Sequence, residues 1–281
     1  RGLVLDTRDR GALTALVAAR RIDTIFDLAA ITEPGLSKKE YQPNLEATRS
    51  VLAAVTRTDV SRYIFFSTQF VFRQPGALPS AEDDYFPVDY YGESKIESEK
   101  EIRATLEPGR YLILRPTYVW GPGLARFRDG LLYRLARGQL LISNSPTAVR
   151  YYGFVHTVAA QAIALARIIE PDARYLYYLS DDAIRLRDFC EALRSALGQG
   201  HAIAAPPALI RLLGLAGAAV GRLGLRAPIT PLQARELTTS FPIPIGPTLE
   251  ATGLTTDLPA AATETVAWAR RDRDWVARIS R

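Results

Sequence analysis

Arg62-Tyr63-Ile64-Phe65-Phe66, running directly into Ser67-Thr68-Gln69, is the stretch that decides the fold. Four consecutive large apolar residues with β preference leave no polar face. Such a run suits a strand buried on both sides, as in a parallel sheet covered by helices. Sheets of that kind bind ligands beyond the carboxyl ends of their strands, which is where the Ser67 and Thr68 hydroxyls stand. Working outward, Asp23-Thr24-Ile25-Phe26-Asp27-Leu28-Ala29-Ala30 reads as a second buried strand, ending in small residues that let backbone approach a ligand. Gly2-Leu3-Val4-Leu5-Asp6 reads as a short strand ending in an acid, and Tyr111 to Pro116 and Tyr175 to Ser180 as two more. Between them lie helical patterns at Arg10 to Arg20, from Pro43-Asn44 to Thr56, around Tyr91, and from Thr157 to Ile169. This alternation predicts an α/β fold, a doubly wound parallel sheet.

Val119-Trp120-Gly121-Pro122-Gly123 is a turn cluster and marks a boundary between lobes. Beyond it, Asp129 to Arg137 reads as a helix and Leu140 to Arg150 as a loop ending in a cation. The last hundred residues alternate helices with Pro/Gly turns and show no second sheet pattern. Residues 1–121 and 149–183 are therefore expected to form the sheet domain, and 122–148 with 184–281 a smaller, mainly helical lobe.

Composition narrows the function. The chain of 281 residues is 48% hydrophobic and 23% charged, enough to build a core and keep a polar surface. Its net charge of +5 is spread without a Lys/Arg tract, which argues against nucleic acid as partner. Cys190 is the single cysteine, so no intrachain disulfide forms, and its surroundings suggest a buried helix thiol. A reducing, cytoplasmic setting fits. Two histidines and one cysteine cannot build a metal cluster, and His156 is expected to be a partly buried structural residue. No signal peptide is visible. Pro206 to Leu225 is rich in Leu, Ala and Gly but contains Arg211 and Arg222. It reads as a buried or amphipathic helical hairpin rather than a span, with membrane-surface contact as the lesser reading. The chain opens on Arg1 and has no methionine, as a fragment would.

Chemistry enters with Tyr91-Gly92-Glu93-Ser94-Lys95. Residues i and i+4 share one helix face, so the Lys95 ammonium is expected beside the Tyr91 phenol, favouring the phenolate. A tyrosine normally titrates near pH 10 and needs such help to act as a base at neutral pH. Thr68 is placed to hold a substrate hydroxyl.

Taken in order, Leu28-Ala29-Ala30, Asn44, Phe66-Ser67-Thr68, Tyr91 with Lys95, Leu114-Arg115-Pro116, Gly121-Pro122 and Phe154-Val155-His156 resemble the extended short-chain dehydrogenase/reductases, the NAD-dependent epimerase/dehydratase family acting on nucleotide sugars. The resemblance covers most of the chain. It implies Thr68, Tyr91 and Lys95 as catalytic residues. It implies Asp6, Leu28, Ala29, Ala30, Ser67, Tyr91, Lys95, Pro116 and Thr117 as contacts to NAD, with NADP as the alternative. Substrate contacts are expected from Thr68, Gln69, Tyr118 and Arg150, the last as a diphosphate ligand. Asn44 would support the active-site wall, or simply cap its helix. A nucleotide-sugar substrate and a homodimer are the implied partners.

Two departures matter. The family's glycine-rich phosphate loop has no counterpart, because Arg1 falls just before the third strand of the family's sheet; the first two strands are expected to lie outside the sequence. Family dehydratases carry an Asp-Glu pair after the catalytic threonine, where this chain has Gln69 and Phe70. Dehydration is thus disfavoured, leaving 4-epimerisation through a keto intermediate, or alcohol/ketone oxidoreduction of a nucleotide sugar or a steroid-type alcohol. A non-catalytic dinucleotide-binding redox sensor is the reading of another class.

Overall fold

The computed structural model describes residues 2–146, 148–168, 174–222 and 229–280. In chain order the first half comprises α1 (Arg10–Ala19), β1 (Thr24–Asp27), α2 (Gln42–Arg57), β2 (Arg62–Phe66), α3 (Tyr90–Thr105), β3 (Tyr111–Pro116) and β4 (Tyr118–Trp120). Then come α4 (Ala125–Phe127) and α5 (Tyr133–Ala136), bridged by a π turn at Arg128–Leu132. They are followed by β5 (Leu140–Ser143), β6 (Val149–Arg150), β7 (Tyr152–Phe154), α6 (Val155–Arg167), β8 (Leu176–Leu179), β9 (Ile184–Arg185) and α7 (Leu186–Leu197). The remainder is β10 (Ala202–Ala205), α8 (Pro207–Arg222), α9 (Pro231–Thr238), α10 (Gly246–Thr252), α11 (Leu258–Ala269) and α12 (Arg273–Ile279).

The main sheet is parallel in the order β1-β2-β3-β8. Its side chains alternate between two cores, as strand geometry requires. Tyr63, Phe65, Tyr111, Ile113, Leu176 and Tyr178 pack toward α1, α2 and α3. Ile64, Leu112, Leu114, Tyr177 and Leu179 pack on the other face against Val158, Ala162 and Leu165 of α6. Helices on both faces make the sheet doubly wound, as expected. A third core gathers Trp120, Leu135, Phe154, Phe189, Leu193, Val266 and Trp275 around α5, α7, α11 and α12. The Cys190 thiol is buried within it and pushed up to about 12 by that burial.

Several expectations fail for physical reasons. Gly2 to Asp6 forms no strand: it pairs with no other strand among the described residues, and Leu3 and Val4 are exposed. A strand without a ladder partner leaves its backbone groups to water and does not persist. The region read as a loop, Leu140 to Arg150, contains β5 and β6, which pair with β10 and β9 from the last hundred residues. Two-to-four-residue strands are too short to show a period. Pro206 to Leu225 is not a hairpin in its described part, since α8 runs unbroken to Arg222; residues 223–228 lie outside the described residues. His156 is exposed and faces Glu264 at 3.5 Å, instead of being partly buried. No helix among the described residues is long and apolar enough to cross a membrane.

Candidate active site

The carboxyl ends of β2 and β3 and the first turn of α3 meet around one cavity of about 660 Å³. Ser67 and Thr68 leave the end of β2, and Pro116 and Thr117 the end of β3. Asp89 caps α3 by accepting from Gly92 N at 2.8 Å, which sets Tyr91 in the first turn. Gly92 is required by a close approach: a Cβ there would lie 2.6 Å from the Phe70 carbonyl oxygen. Bare backbone lets α3 press against the segment that follows Thr68. Ser67, Thr68, Tyr91, Pro116, Thr117, Tyr118 and Arg150 all line the cavity.

Lys95, one turn along α3 from Tyr91, is buried. Its ammonium donates to the Phe66 carbonyl oxygen at 2.8 Å and sits 4.6 Å from the centre of the Phe65 ring. Buried at the carboxyl end of β2, it takes the acceptor that the ending strand provides. Burial drives its pKa down to about 8, with Asp27 and Glu99 pulling the other way. The Tyr91 phenol is pushed up to about 12, first by burial, then by Asp89 and Tyr41; the cation that opposes the shift is Arg126. Its ring packs against Tyr41 and Phe70, at 5.8 and 6.4 Å between centroids.

Beneath the site is a buried charge network that sequence reading missed. Glu99, one turn beyond Lys95, is fully buried and accepts from Ser67 Oγ at 2.5 Å. It also accepts from Arg115 Nε and Nη2 at 2.9 and 2.7 Å, and from Tyr85 Oη at 3.0 Å. Burial alone would raise the Glu99 carboxyl, but the Arg115 guanidinium and these hydrogen bonds outweigh it and hold it below the usual range. The network ties the end of β2 to α3 and β3, so Thr68 and Tyr91 rest on one rigid base.

Most of the other expected residues lie off that cavity. Asp6 is held by the Arg8 guanidinium, which lowers its carboxyl to about 2, and Leu28 is exposed; neither lines a described cavity. Ala29 and Ala30 line a separate cleft of about 270 Å³ with Thr7, Arg8 and Asn44. Gln69 is buried and lies off the cavity; its neighbour Phe70 lines it instead. Asn44 sits inside α2, so it is no N-cap. Its amide donates to Ile31 O and Ser94 Oγ and accepts from Ile31 N, joining the segment after β1 to α3. Arg150 is buried with its guanidinium donating to the carbonyls of Val149, Glu236 and Thr239.

Phe70, Trp120, Arg126, Tyr152, Glu236 and Leu237 complete the wall and were not anticipated. Glu236 on α9 takes hydrogen bonds from Tyr118 Oη and Arg73. Arg73 is itself buried against the Phe241 ring at 4.0 Å. Residues 163 positions apart in sequence meet here, and no local pattern announces that. For Phe70 the signal was present in its place two residues after Thr68.

A family model described as NAD dependent epimerase/dehydratase family matches residues 1–174. The chain belongs to that family. Among curated relatives, an N-acetyl-alpha-D-glucosaminyl-diphospho-ditrans,octacis-undecaprenol 4-epimerase of Escherichia coli O157:H7 is 28% identical over 159 residues, 54% of this chain and 47% of the relative. A dTDP-4-dehydrorhamnose reductase of Escherichia coli is 29% identical over 170 residues, 57% of this chain and 54% of the relative. The chain thus spans about half the length of these curated relatives. Among solved structures, the UDP-glucose 4-epimerase from Bifidobacterium longum in complex with NAD+ and UDP superimposes with a TM-score of 0.68. It covers 97% of this chain and 84% of that one at 18% identity, a likeness of fold. The α/β architecture of this epimerase/dehydratase family member is thereby shared with solved Rossmann-type epimerases.

Proposed function

We infer that this protein performs NAD-dependent oxidation and re-reduction at an alcohol carbon of a diphosphate-linked sugar, with 4-epimerisation as the reaction. The observation that carries this reading is the shared cavity of Thr68, Tyr91, Pro116 and Thr117 at the strand ends, with Lys95 buried beneath it. The residues fit the nicotinamide end of the dinucleotide: Ser67, Pro116 and Thr117 offer the wall and Lys95 a desolvated cation. Ala29 and Ala30, beside the second cleft, leave room for the remainder. Held there, NAD would supply the hydride acceptor and donor for the sugar carbon.

The protein's own share is binding and proton transfer. Thr68 Oγ1 orients the substrate hydroxyl, and Tyr91 Oη accepts its proton and gives it back. A phenol near 12 is protonated at neutral pH, the form that donates to a keto oxygen. Proton abstraction needs a positive charge to draw it down, and Arg126 on the wall and Lys95 one turn along α3 are the candidates. Gln69 and Phe70 cannot shuttle protons, which favours epimerisation over loss of water. The aromatic and aliphatic wall, including Trp120, Phe127, Leu131 and Leu186, favours as second reading the reduction or oxidation of a less polar alcohol.

We place the division between sheet domain and substrate lobe near Gly121, where the sheet-flanking cores give way to the Trp120 core. The test is to incubate the protein with NAD and UDP-sugars and follow inversion at C4 by proton NMR. Turnover that disappears in Tyr91→Phe supports the reading. Turnover that survives it removes Tyr91 from the chemistry.

A further inference from the structure

Helix α8 is amphipathic in the reverse sense. Its Ile210, Gly214 and Gly217 face is buried, and Gly214 sits so close to Ala234 of α9 that a Cβ would come within 2.5 Å of it. The opposite face shows Leu209, Leu212 and Leu213 to solvent at 45%, 62% and 40% exposure, with Leu215 at its margin at 68%. Leu209, Leu212, Leu213 and Ala216 recur at the i, i+3, i+4, i+7 spacing of one helical stripe, on a helix about 24 Å long. A face of this kind in water has an occupant.

Charge identifies it. Between Gly198 and Arg235 the sequence contains four arginines and no Asp or Glu, while Arg194 just before them is paired with Glu191. Arg211 is exposed beside the leucines; its Nε donates to Thr238 Oγ1 of α9 at 3.5 Å, and no carboxylate pairs with it among the described residues. We propose that α8 docks on an anionic membrane surface, its leucine stripe in the interface and its arginine flank on acidic headgroups. Leucine on one face and arginine beside it is the composition that interfacial helices use. A second copy of the chain fits less well, because a two-fold contact centred on α8 sets the two basic flanks against each other. The other side of the α8–α9 layer is the cavity: Leu141 and Leu237 line it and also pack on the cluster around Ile210. Docking therefore brings the apolar cavity wall within one helical layer of lipid. The proposal stands on the α8 surface and does not depend on the reaction.

The test is co-sedimentation of the full chain with phosphatidylcholine vesicles, with and without phosphatidylglycerol. Binding to the anionic vesicles, weakened by added salt, is expected. It should fall on the order of tenfold or more in the Leu212→Glu/Leu213→Glu double variant, which puts two charges into the interface. Arg211→Glu should weaken it less. Ile163→Glu, at an exposed apolar site on α6, should leave it unchanged, and circular dichroism should show each variant folded. No binding to anionic vesicles overturns the proposal, as does equal binding by the double variant. Equal affinity for neutral vesicles overturns the role of charge. A dimer by sedimentation equilibrium that the double variant dissolves, without vesicle binding, assigns the face to a second copy.

Discussion

Replacing Lys95 with Met tests the electrostatics of the site most directly. Lys95 is 2% exposed; its ammonium donates to the Phe66 carbonyl and rests on the Phe65 ring, and its pKa falls from 10.5 to about 8, chiefly through burial. The difference corresponds to about 3 kcal/mol. The sign follows from proton counting: between pH 8 and 10.5 the unfolded lysine holds its proton and the folded one has lost it. Stability therefore rises with pH across that window. At neutral pH the folded protein bears the full cost of a buried charge, and above 10.5 that cost is gone. Lys95→Met lacks this dependence. Loss of the bond to Phe66 O costs the variant on the order of 1–3 kcal/mol, an offset that stays constant with pH once the wild-type lysine is accounted for. Urea denaturation of both proteins at several pH values from neutral to above 10.5 measures the difference. Wild type should gain about 3 kcal/mol on Lys95→Met over the range. A difference flat to within about 1 kcal/mol would refute the claim that Lys95 is buried as a desolvated cation.

Three further outcomes are expected. Tyr91→Phe removes a hydroxyl with no hydrogen-bond partner among the described residues and keeps the ring contacts to Tyr41 and Phe70; turnover should drop roughly 10²–10⁴-fold while the urea midpoint stays put. Glu99→Ala strands the buried Arg115 charge and should cost about 3–5 kcal/mol. Because the folded Glu99 carboxyl lies below its ordinary 4.5, its contribution is present above pH 4.5 and lost as pH falls through the folded value, so wild type and variant should converge in acid. Gly92→Ala places a methyl 2.6 Å from the Phe70 carbonyl; about 1–3 kcal/mol of destabilisation should come with weakened turnover, as Tyr91 is levered away from Thr68. A Gly92→Ala protein of wild-type stability would mean that α3 does not press on that segment.

Much of the sheet was legible because its signal is local. Arg62 to Phe66 and Tyr111 to Pro116 are strands at the residues anticipated, since a strand buried on both faces needs an unbroken apolar run and little else. The same local reading failed at Gly2 to Asp6, where the pattern is right but no neighbour pairs with it. It failed too at Leu140 to Ser143, whose partner Ala202 to Ala205 lies some sixty residues on. A strand is a property of two segments, and one segment's composition does not reveal the other.

The site divides along the same line. The sequence by itself determined that a hydroxyl would stand at the end of β2 and a tyrosine in the first turn of the next helix, because chain continuity places both at the carboxyl edge of the sheet. It could not determine that the Lys95 ammonium bonds the Phe66 carbonyl, because that contact depends on how α3 packs on the end of β2. Only packing decided that, by burying the lysine against Phe65. Nor could it show that Glu99 lies under Ser67, that Glu236 and Arg73 close the far wall, or that the leucines of α8 face outward. Each depends on contacts between segments far apart in sequence, and burial and charge pairing there are set by the assembled fold.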